Sequence, residues 1–518
     1  MIEAQLPILQ IIIPLIAAPI CLILRHAFAA WLLSTVVTVI TFVISLMLLV
    51  QVLEHGTISY ALGSWAPPWG IEYVVDHLSA FILVIVAGIG SLVMPFARQS
   101  VQQEVPGERI YLFYVMYLLC LTGLLGIAIT GDAFNLFVFL EISSLSSYVL
   151  ISLGRDKRAL TGAFNYLIMG TIGATFYVIG VGMLYMMTGT LNMADLAERL
   201  PAILDLKVIE AALAFLLVGI SLKLALFPLH FWLPNAYAFA PTTVTIFLAA
   251  TATKVSVYVM IRILYTVFGG QALFEIFAID EALVALGMLS MIAAALVAIF
   301  QDNVKRMLAY SSLSQIGYMI LGIGLGNAAG LAGGIIHIFN HAMAKAALFM
   351  AIGCVIARVG AVTISDLAGL GRQMPVTMGA MMVGALSLIG IPTTVGFVTK
   401  WYLIEGSFQN GNWLAVATIL LSGLLAIIYS WRIVEAAYFQ DPPEGRGEVR
   451  EAPIAMQAPM LLLAAACIIF GVSATWTMDV VMVATEALIG DAGSATPEAI
   501  ETSATFGTPA ALEAPEIR

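Results

Sequence analysis

Read from its first residue, the chain is a succession of long apolar runs separated by short polar turns. A helix that crosses a bilayer needs about 20 mostly apolar residues, each adding about 1.5 Å of rise. Fourteen runs reach that length, at approximately 5–24, 28–53, 73–97, 110–129, 132–153, 160–188, 208–229, 241–268, 279–300, 303–325, 329–358, 376–404, 412–439 and 454–474. The pattern predicts an all-α polytopic membrane protein of about 14 transmembrane helices. The last run is the weakest, because apolar character fades slowly toward Ile489. Beyond it, Gly490–Arg518 is rich in Ala, Pro, Thr and Glu. That composition builds no core and predicts a disordered acidic tail.

Composition agrees with the pattern. Of 518 residues, 61% are hydrophobic and 10% charged, and the mean hydropathy is +1.03. A typical soluble domain is about 25% charged. Cys21, Cys120, Cys354 and Cys467 stand singly inside apolar runs, without metal-ligand spacing or a disulfide framework. The net charge of −10 comes largely from loops and the tail and says little about partners. The first ten residues, MIEAQLPILQ, carry no Lys or Arg, so the first run is expected to stay as a helix and not to act as a signal peptide.

The basic residues set an orientation. The loops after odd-numbered helices carry Arg25, Arg98, Arg109, Arg155, Lys157, Arg158, Lys305, Arg306, Arg358, Arg372, Arg446 and Arg450. Those after even-numbered helices carry only Arg199 and Lys207, with Arg518 in the tail. The positive-inside rule then puts the odd loops in the cytoplasm and both termini outside.

The other basic residues, Lys223, Lys254, Arg262, Lys345, Lys400 and Arg432, fall inside predicted helices. Arg262 and Arg432 are placed to snorkel from helix ends. The four lysines lie deeper, where each charge costs roughly 2.5–3.5 kcal/mol on insertion scales and marks a functional site by default. In the seventh helix, Lys223 precedes Pro228 in SLKLALFPLHFWLP (221–234), so a charge adjoins a helix break. Glu141 lies nine residues into the fifth helix and needs a proton or a partner. It reads either as one half of a structural ion pair with an interior lysine or as part of a proton switch.

In the eleventh helix, His337, His341 and Lys345 are spaced four apart. Four residues turn the helix by about 400°, so the three share one face. Two such histidines suit zinc, but no third ligand is recognisable. With an aligned lysine they suit a proton relay, because histidine titrates near neutral pH. In the twelfth helix, Gly390, Pro392 and Gly396 mark a second break, followed by Lys400. Lysine precedes proline at the first break and follows it at the second, a reversal taken as pointing to an inverted repeat. YSSLSQIGYM (310–319) and PTTVT (241–245) add polarity to the interior.

Four stretches carry a family resemblance: KRMLAYSSLSQIGYM (305–319), LFPLHFWLPNAY (226–237), FNHAMAKAALF (339–349) and PTTVGFVTKW (392–401). Across about residues 70–440 the chain resembles the antiporter-like subunits of respiratory complex I and of Mrp-type monovalent cation/proton antiporters, most nearly the D-type Mrp subunits. The resemblance implies 14 transmembrane helices, with two inverted five-helix repeats over helices 4–8 and 9–13 and with helices 7 and 12 broken. It implies that Glu141 and Lys223 form an acid–lysine pair, that Lys254 is a relay lysine, that His337, His341 and Lys345 connect onward, and that Lys400 ends the proton pathway. One complex I homologue has glutamate at this last place, so Lys400 argues against that subunit. The long lateral helix of the largest homologues is not expected here, since the tail is too polar to supply it.

The implied division is 1–109 for helices 1–3, 110–268 and 279–439 for the repeats, 454–489 for the helix-14 region and 490–518 for the tail. The implied function is proton translocation within a multisubunit Na+/H+ antiporter of a prokaryotic plasma (inner) membrane, as a secondary transporter subunit and not an enzyme. Its partners would be other membrane subunits, protons, Na+ and lipid, with no nucleic acid. The alternative is a proton-pumping, non-redox subunit of a complex I-type NADH–quinone oxidoreductase or a membrane-bound hydrogenase. The sequence has no nucleotide loop, Cys cluster or haem motif, so no cofactor or metal is expected. A purely structural scaffold does not account for four buried lysines.

Overall fold

A computed structural model describes residues 3–360 and 363–493. Every one of the fourteen runs is helical in it. The first three are α1 (Leu6–Leu24), α2 (Ala27–His55) and α3 (His77–Glu104). The next five are α4 (Ile110–Ile129), α5 (Ala133–Ser152), α6 (Arg158–Thr188), the broken pair α8 (Lys207–Leu224) and α9 (Leu233–Phe239), and the pair α10 (Thr242–Ala250) and α11 (Ala252–Ile261). A short helix, α7 (Met193–Arg199), lies in the loop after α6, and α12 (Gln271–Phe277) lies after α11. The second set is α13 (Ile279–Ile299), α14 (Val304–Gly324), α15 (Ala328–Val359), the broken pair α17 (Pro375–Ile389) and α18 (Val395–Gln409), and α19 (Trp413–Val434). One turn, α16 (Leu370–Gln373), precedes α17, and α20 (Ile454–Val472) and α21 (Thr475–Gly493) close the described chain.

Among the described residues, eleven helices are long and apolar enough to cross a membrane. The three runs outside that count are α8, α14 and the α17–α18 pair, which carry Lys223, the serine-rich stretch and the second break. The last run divides. It ends at Val472, and α21 is a separate helix packed on α3 and α15, burying Val481, Ala484 and Thr485. Residues 490–493, expected in the tail, belong to this helix, and the rest of the expected tail lies outside the described residues. The apolar pattern also gave no sign of the hairpin of β1 (Ile58–Ala61) and β2 (Glu72–Val75), antiparallel with Ile58 opposite Val75.

Two five-helix units share one packing order. In the first, α4 packs on α5, α5 on α6 and α6 on α8; in the second, α13 packs on α14, α14 on α15 and α15 on α17 and α18. Loop contacts repeat as well. Asp132, the N-cap of α5, bridges to Asn192 after α6, and Asn303, the N-cap of α14, bridges to Thr363 after α15. In each unit the fourth helix breaks at a residue of positive φ, Ala225 at 60° and Gly390 at 84°. Five crossings, from α4 to α10–α11, precede α13. That odd number makes the second unit enter from the opposite face, so the repeat is inverted. The order of lysine and proline does not mark it. An inverted repeat preserves residue order along the chain, and Lys400 after its break departs from the symmetry.

One end of the bundle gathers most of the loop arginines and is tied by carboxylates and by arginine, with Arg358 Nη2 donating to the Glu451 carbonyl at 2.6 Å. The Glu104 carboxylate accepts from Thr242 N at 2.8 Å, and Glu451 accepts from Val376 N at 2.6 Å. Arg432 reaches the Gln301 carbonyl at 2.8 Å, as a residue near a helix end should. Two expectations about basic residues fail, one at each end of the bundle. Lys305 is not a loop lysine: it is buried, with Nζ donating to the Ala240 carbonyl at 2.7 Å. Arg262 does not snorkel. It is buried, paired with Asp76, and its Nε donates to Tyr258 Oη at 2.9 Å. Asp76 stands there because it caps α3 through a capping box with Ser79.

Candidate functional site

The first group forms where α5 faces the end of α8. Glu141 and Ser144 lie one turn apart on α5, so both reach the same point. Lys223 is the penultimate residue of α8, where a cation is favoured by the exposed carbonyls. The helix stops because Ala225 turns left-handed ahead of Pro228. The Trp232 indole then donates to the Leu222 carbonyl at 2.9 Å across the break and stacks on Tyr166, with centroids 3.8 Å apart. Lys223 Nζ donates to Glu141 Oε1 at 3.2 Å and to Ser144 Oγ at 2.8 Å. The pair is lopsided: the lysine side chain is 4% exposed, while the glutamate is 24% exposed at the edge of the chain. A small void lined by Lys223, Ser143, Ser147, Tyr166 and Ser256 extends from the lysine to α11.

Lys254 follows on α11. The helix is interrupted just before it, at Thr251, with φ −124° and ψ −58°. Lys254 Nζ donates to the Ala249 carbonyl across that interruption, with Thr253 Oγ1 at 3.4 Å. Its helix, α11, packs on α15, which carries His337, His341 and Lys345. Those three form the single polar face that their spacing predicts. Lys345 Nζ donates to the Leu308 carbonyl at 2.8 Å and to Ser311 Oγ. The two imidazoles are parallel, with centroids 5.6 Å apart. His337 Nδ1 lies 3.1 Å from Thr399 Oγ1. Among the described residues, His337 Nε2 and both ring nitrogens of His341 are buried without a protein partner.

Lys400 sits in the second turn of α18. Its Nζ turns back to donate to the Ile389 carbonyl, the last of α17, and lies 5.4 Å from the centre of the Tyr318 ring. Glycines make this path possible. A Cβ on Gly423 would stand 3.0 Å from Nζ, and one on Gly390 would stand 3.2 Å away.

The seven groups named from the sequence, Glu141, Lys223, Lys254, Lys345, His341, His337 and Lys400, thus lie on helices that touch in succession: α5 meets α8 through the Glu141–Lys223 pair, α8 packs on α11, α11 on α15 and α15 on α18. Among the described residues, Lys223 alone of the four interior lysines has a carboxylate within salt-bridge distance. The other three bond to main-chain carbonyls, two of them across helix breaks. An amine held by neutral acceptors can lose its proton without stranding a counter-charge, whereas one held by a carboxylate is tied to that partner. Among the described residues no three His, Cys, Asp or Glu side chains converge as a metal site would require. Sequence reasoning missed the Thr251 interruption, which has no Pro or Gly to announce it. It also missed Thr399, Asn340 and Tyr318 around His337 and Lys400, which read as ordinary helix residues. A signal for Asp76 was available: a carboxylate opening a run, three residues before a serine.

Two stacked five-helix units, each broken at its fourth helix and joined by buried lysines and histidines, define the antiporter-like class of membrane subunit. The chain belongs to the NADH:quinone oxidoreductase/Mrp antiporter transmembrane family, whose model matches residues 130–426. It is 40% identical over 486 residues to the N-type NADH-quinone oxidoreductase subunit of Desulforudis audaxviator, covering 90% of this chain and 96% of the relative. It is 32% identical over 471 residues to the D-type Na(+)/H(+) antiporter subunit of Alkalihalophilus pseudofirmus, covering 91% and 94%. Among solved structures, a chain of an archaeal membrane-bound sulfane sulfur reductase superposes with a TM-score of 0.87 at 32% identity, covering 94% of this chain and 98% of that one. A chain of the Mrp complex from Dietzia sp. DQ12-45-1b superposes with a TM-score of 0.86 at 24% identity over 94% and 98%, a likeness of fold. The protein is a polytopic membrane protein, and its relatives are subunits of multisubunit membrane assemblies.

Proposed function

We propose that this chain moves protons within a Mrp-type monovalent cation/proton antiporter. Glu141 and Lys223 form the entrance pair, Lys254, Lys345, His341 and His337 form the lateral relay, and Lys400 is the exit. The observation that supports this most is the series of titratable groups on successively packed helices, in which all but the first lysine rest on neutral carbonyl acceptors. The 32% identity to a D-type antiporter subunit supports the antiport assignment. A second reading, a proton-pumping subunit of a redox-driven complex, is favoured by the 40% identity to a quinone oxidoreductase subunit and by the likeness to a chain of a sulfur reductase complex. The relay is common to both, and the partners separate them. Affinity purification from native membranes is expected to recover small membrane subunits without iron–sulfur proteins. Stoichiometric recovery of iron–sulfur proteins would establish the redox reading instead.

The excess of arginine at one end supports a cytoplasmic location for that end and an outside location for both termini. Single cysteines placed at 155–158 are expected to resist an impermeant thiol reagent in intact cells, while cysteines at 195–207 react. The four native cysteines are buried and free, so they add little background. Labelling at 155–158 from outside would reverse the orientation.

A further inference from the structure

The surroundings of His337 leave room for one tautomer, and this bears on which histidine carries protons. Asn340 lies nearly one turn along α15, and its Nδ2 donates to the Val395 carbonyl at 2.8 Å. A carbonyl only accepts, so this contact fixes which end of the Asn340 amide is nitrogen. The same nitrogen donates to Thr399 Oγ1 at 3.0 Å. The Thr399 oxygen thus accepts from Asn340, and its own proton needs an acceptor. Other threonines in this fold give that proton to the carbonyl four residues back: Thr122 to Leu118, Thr175 to Thr171 and Thr418 to Leu414. For Thr399 that carbonyl is Val395, which takes the Asn340 amide in addition to its place in the α18 ladder. The neighbour left to the hydroxyl is His337 Nδ1, at 3.1 Å.

We propose that Asn340 and Thr399 are positioning residues that lock neutral His337 with its proton on Nε2 and its bare Nδ1 accepting from the Thr399 hydroxyl. The proposal rests on the relay reading and refines it. A neutral imidazole takes up a proton at its bare nitrogen. Here that nitrogen is covered by Thr399, and behind Thr399 stands an amide that has no proton to give. To become charged, His337 must first lose the Thr399 bond: the hydroxyl turns away, Nδ1 gains a proton from a donor, and Nε2–H is then free to leave. His341 has no such cover, since neither of its nitrogens has a partner among the described residues. The two parallel rings therefore have different parts. His341 is the open carrier, and His337 is a latched donor that conducts only after Thr399 moves.

Nitrogen-15 solid-state NMR of the whole protein in lipid, labelled at histidine, reads this directly. His337 is assigned by difference from His337→Gln, at alkaline pH where the ring is neutral. The expected spectrum has His337 protonated at Nε2 only. Thr399→Ser keeps the hydroxyl and is expected to leave it unchanged, while Thr399→Val is expected to introduce Nδ1–H. A wild-type His337 carrying its proton on Nδ1 overturns the proposal without recourse to any variant, and so does a Thr399→Val spectrum identical to wild type. Transport by His337→Ala tests the relay separately. A normal rate there would remove His337 from the proton path while the tautomer assignment stood.

Discussion

Glu141→Ala and Lys223→Ala are each expected to abolish proton transport while the protein still inserts, and the double variant is expected to be no worse than either. The geometry gives the reason. Lys223 Nζ is held by Glu141 at 3.2 Å and by Ser144 at 2.8 Å, and its side chain is almost wholly buried. Removing the carboxylate leaves the buried amine without its counter-charge, and removing the amine leaves the carboxylate without its own. Either way the pair that exchanges the proton is gone. A group that takes part directly in proton transfer accounts for roughly 10²–10⁴ in rate, and groups acting as one unit lose their effect together. The measurement is proton transport in membrane vesicles at equal protein levels. Two single losses that multiply in the double variant would show that the residues act independently.

Lys400→Arg is expected to assemble and to stop transport, as Lys400→Ala does. Lysine and arginine both carry a positive charge, but guanidinium hardly ever deprotonates. A fixed-charge role survives the exchange, and a proton-releasing role does not. Lys400 suits release because its amine rests on the Ile389 carbonyl and the Tyr318 ring, with no carboxylate to hold its charge. The loss expected is again roughly 10²–10⁴-fold. The amine already fills the room beside the glycines at 390 and 423, so equal protein level in the membrane is the control for the fit of the larger guanidinium. Near-normal antiport by Lys400→Arg would make this residue a fixed charge and move the proton exit elsewhere.

Both predictions start from residues that stood out in the sequence, and the reason is local. A lysine in an apolar run is costly whatever surrounds it, so Lys223, Lys254, Lys345 and Lys400 declare themselves singly. The helical period places His337, His341 and Lys345 on one face without any tertiary information. Proline and glycine mark the breaks after Lys223 and before Lys400. Glu141 was legible as an acid that needed a partner; the family resemblance implied Lys223, and the structure brings the two within hydrogen-bond distance across 82 residues.

By itself, the sequence determined the long apolar helices, both marked breaks and the identity of four interior lysines. These depend on side-chain transfer energies and main-chain stereochemistry, which act within a few residues. Only the tertiary structure decided what each charge rests on. Thr251 interrupts its helix with no breaker residue, and Lys254 answers the interruption by bonding Ala249. Arg262 looked like a residue at a helix end but pairs with Asp76, 186 residues away. The Asn340–Thr399 lock on His337 joins α15 to α18 through hydroxyl and amide groups that are ordinary in any helix. Hydrogen bonds and ion pairs in a low-dielectric interior are worth most between elements that packing has brought together, and pairwise packing across such distances leaves no local mark on the chain.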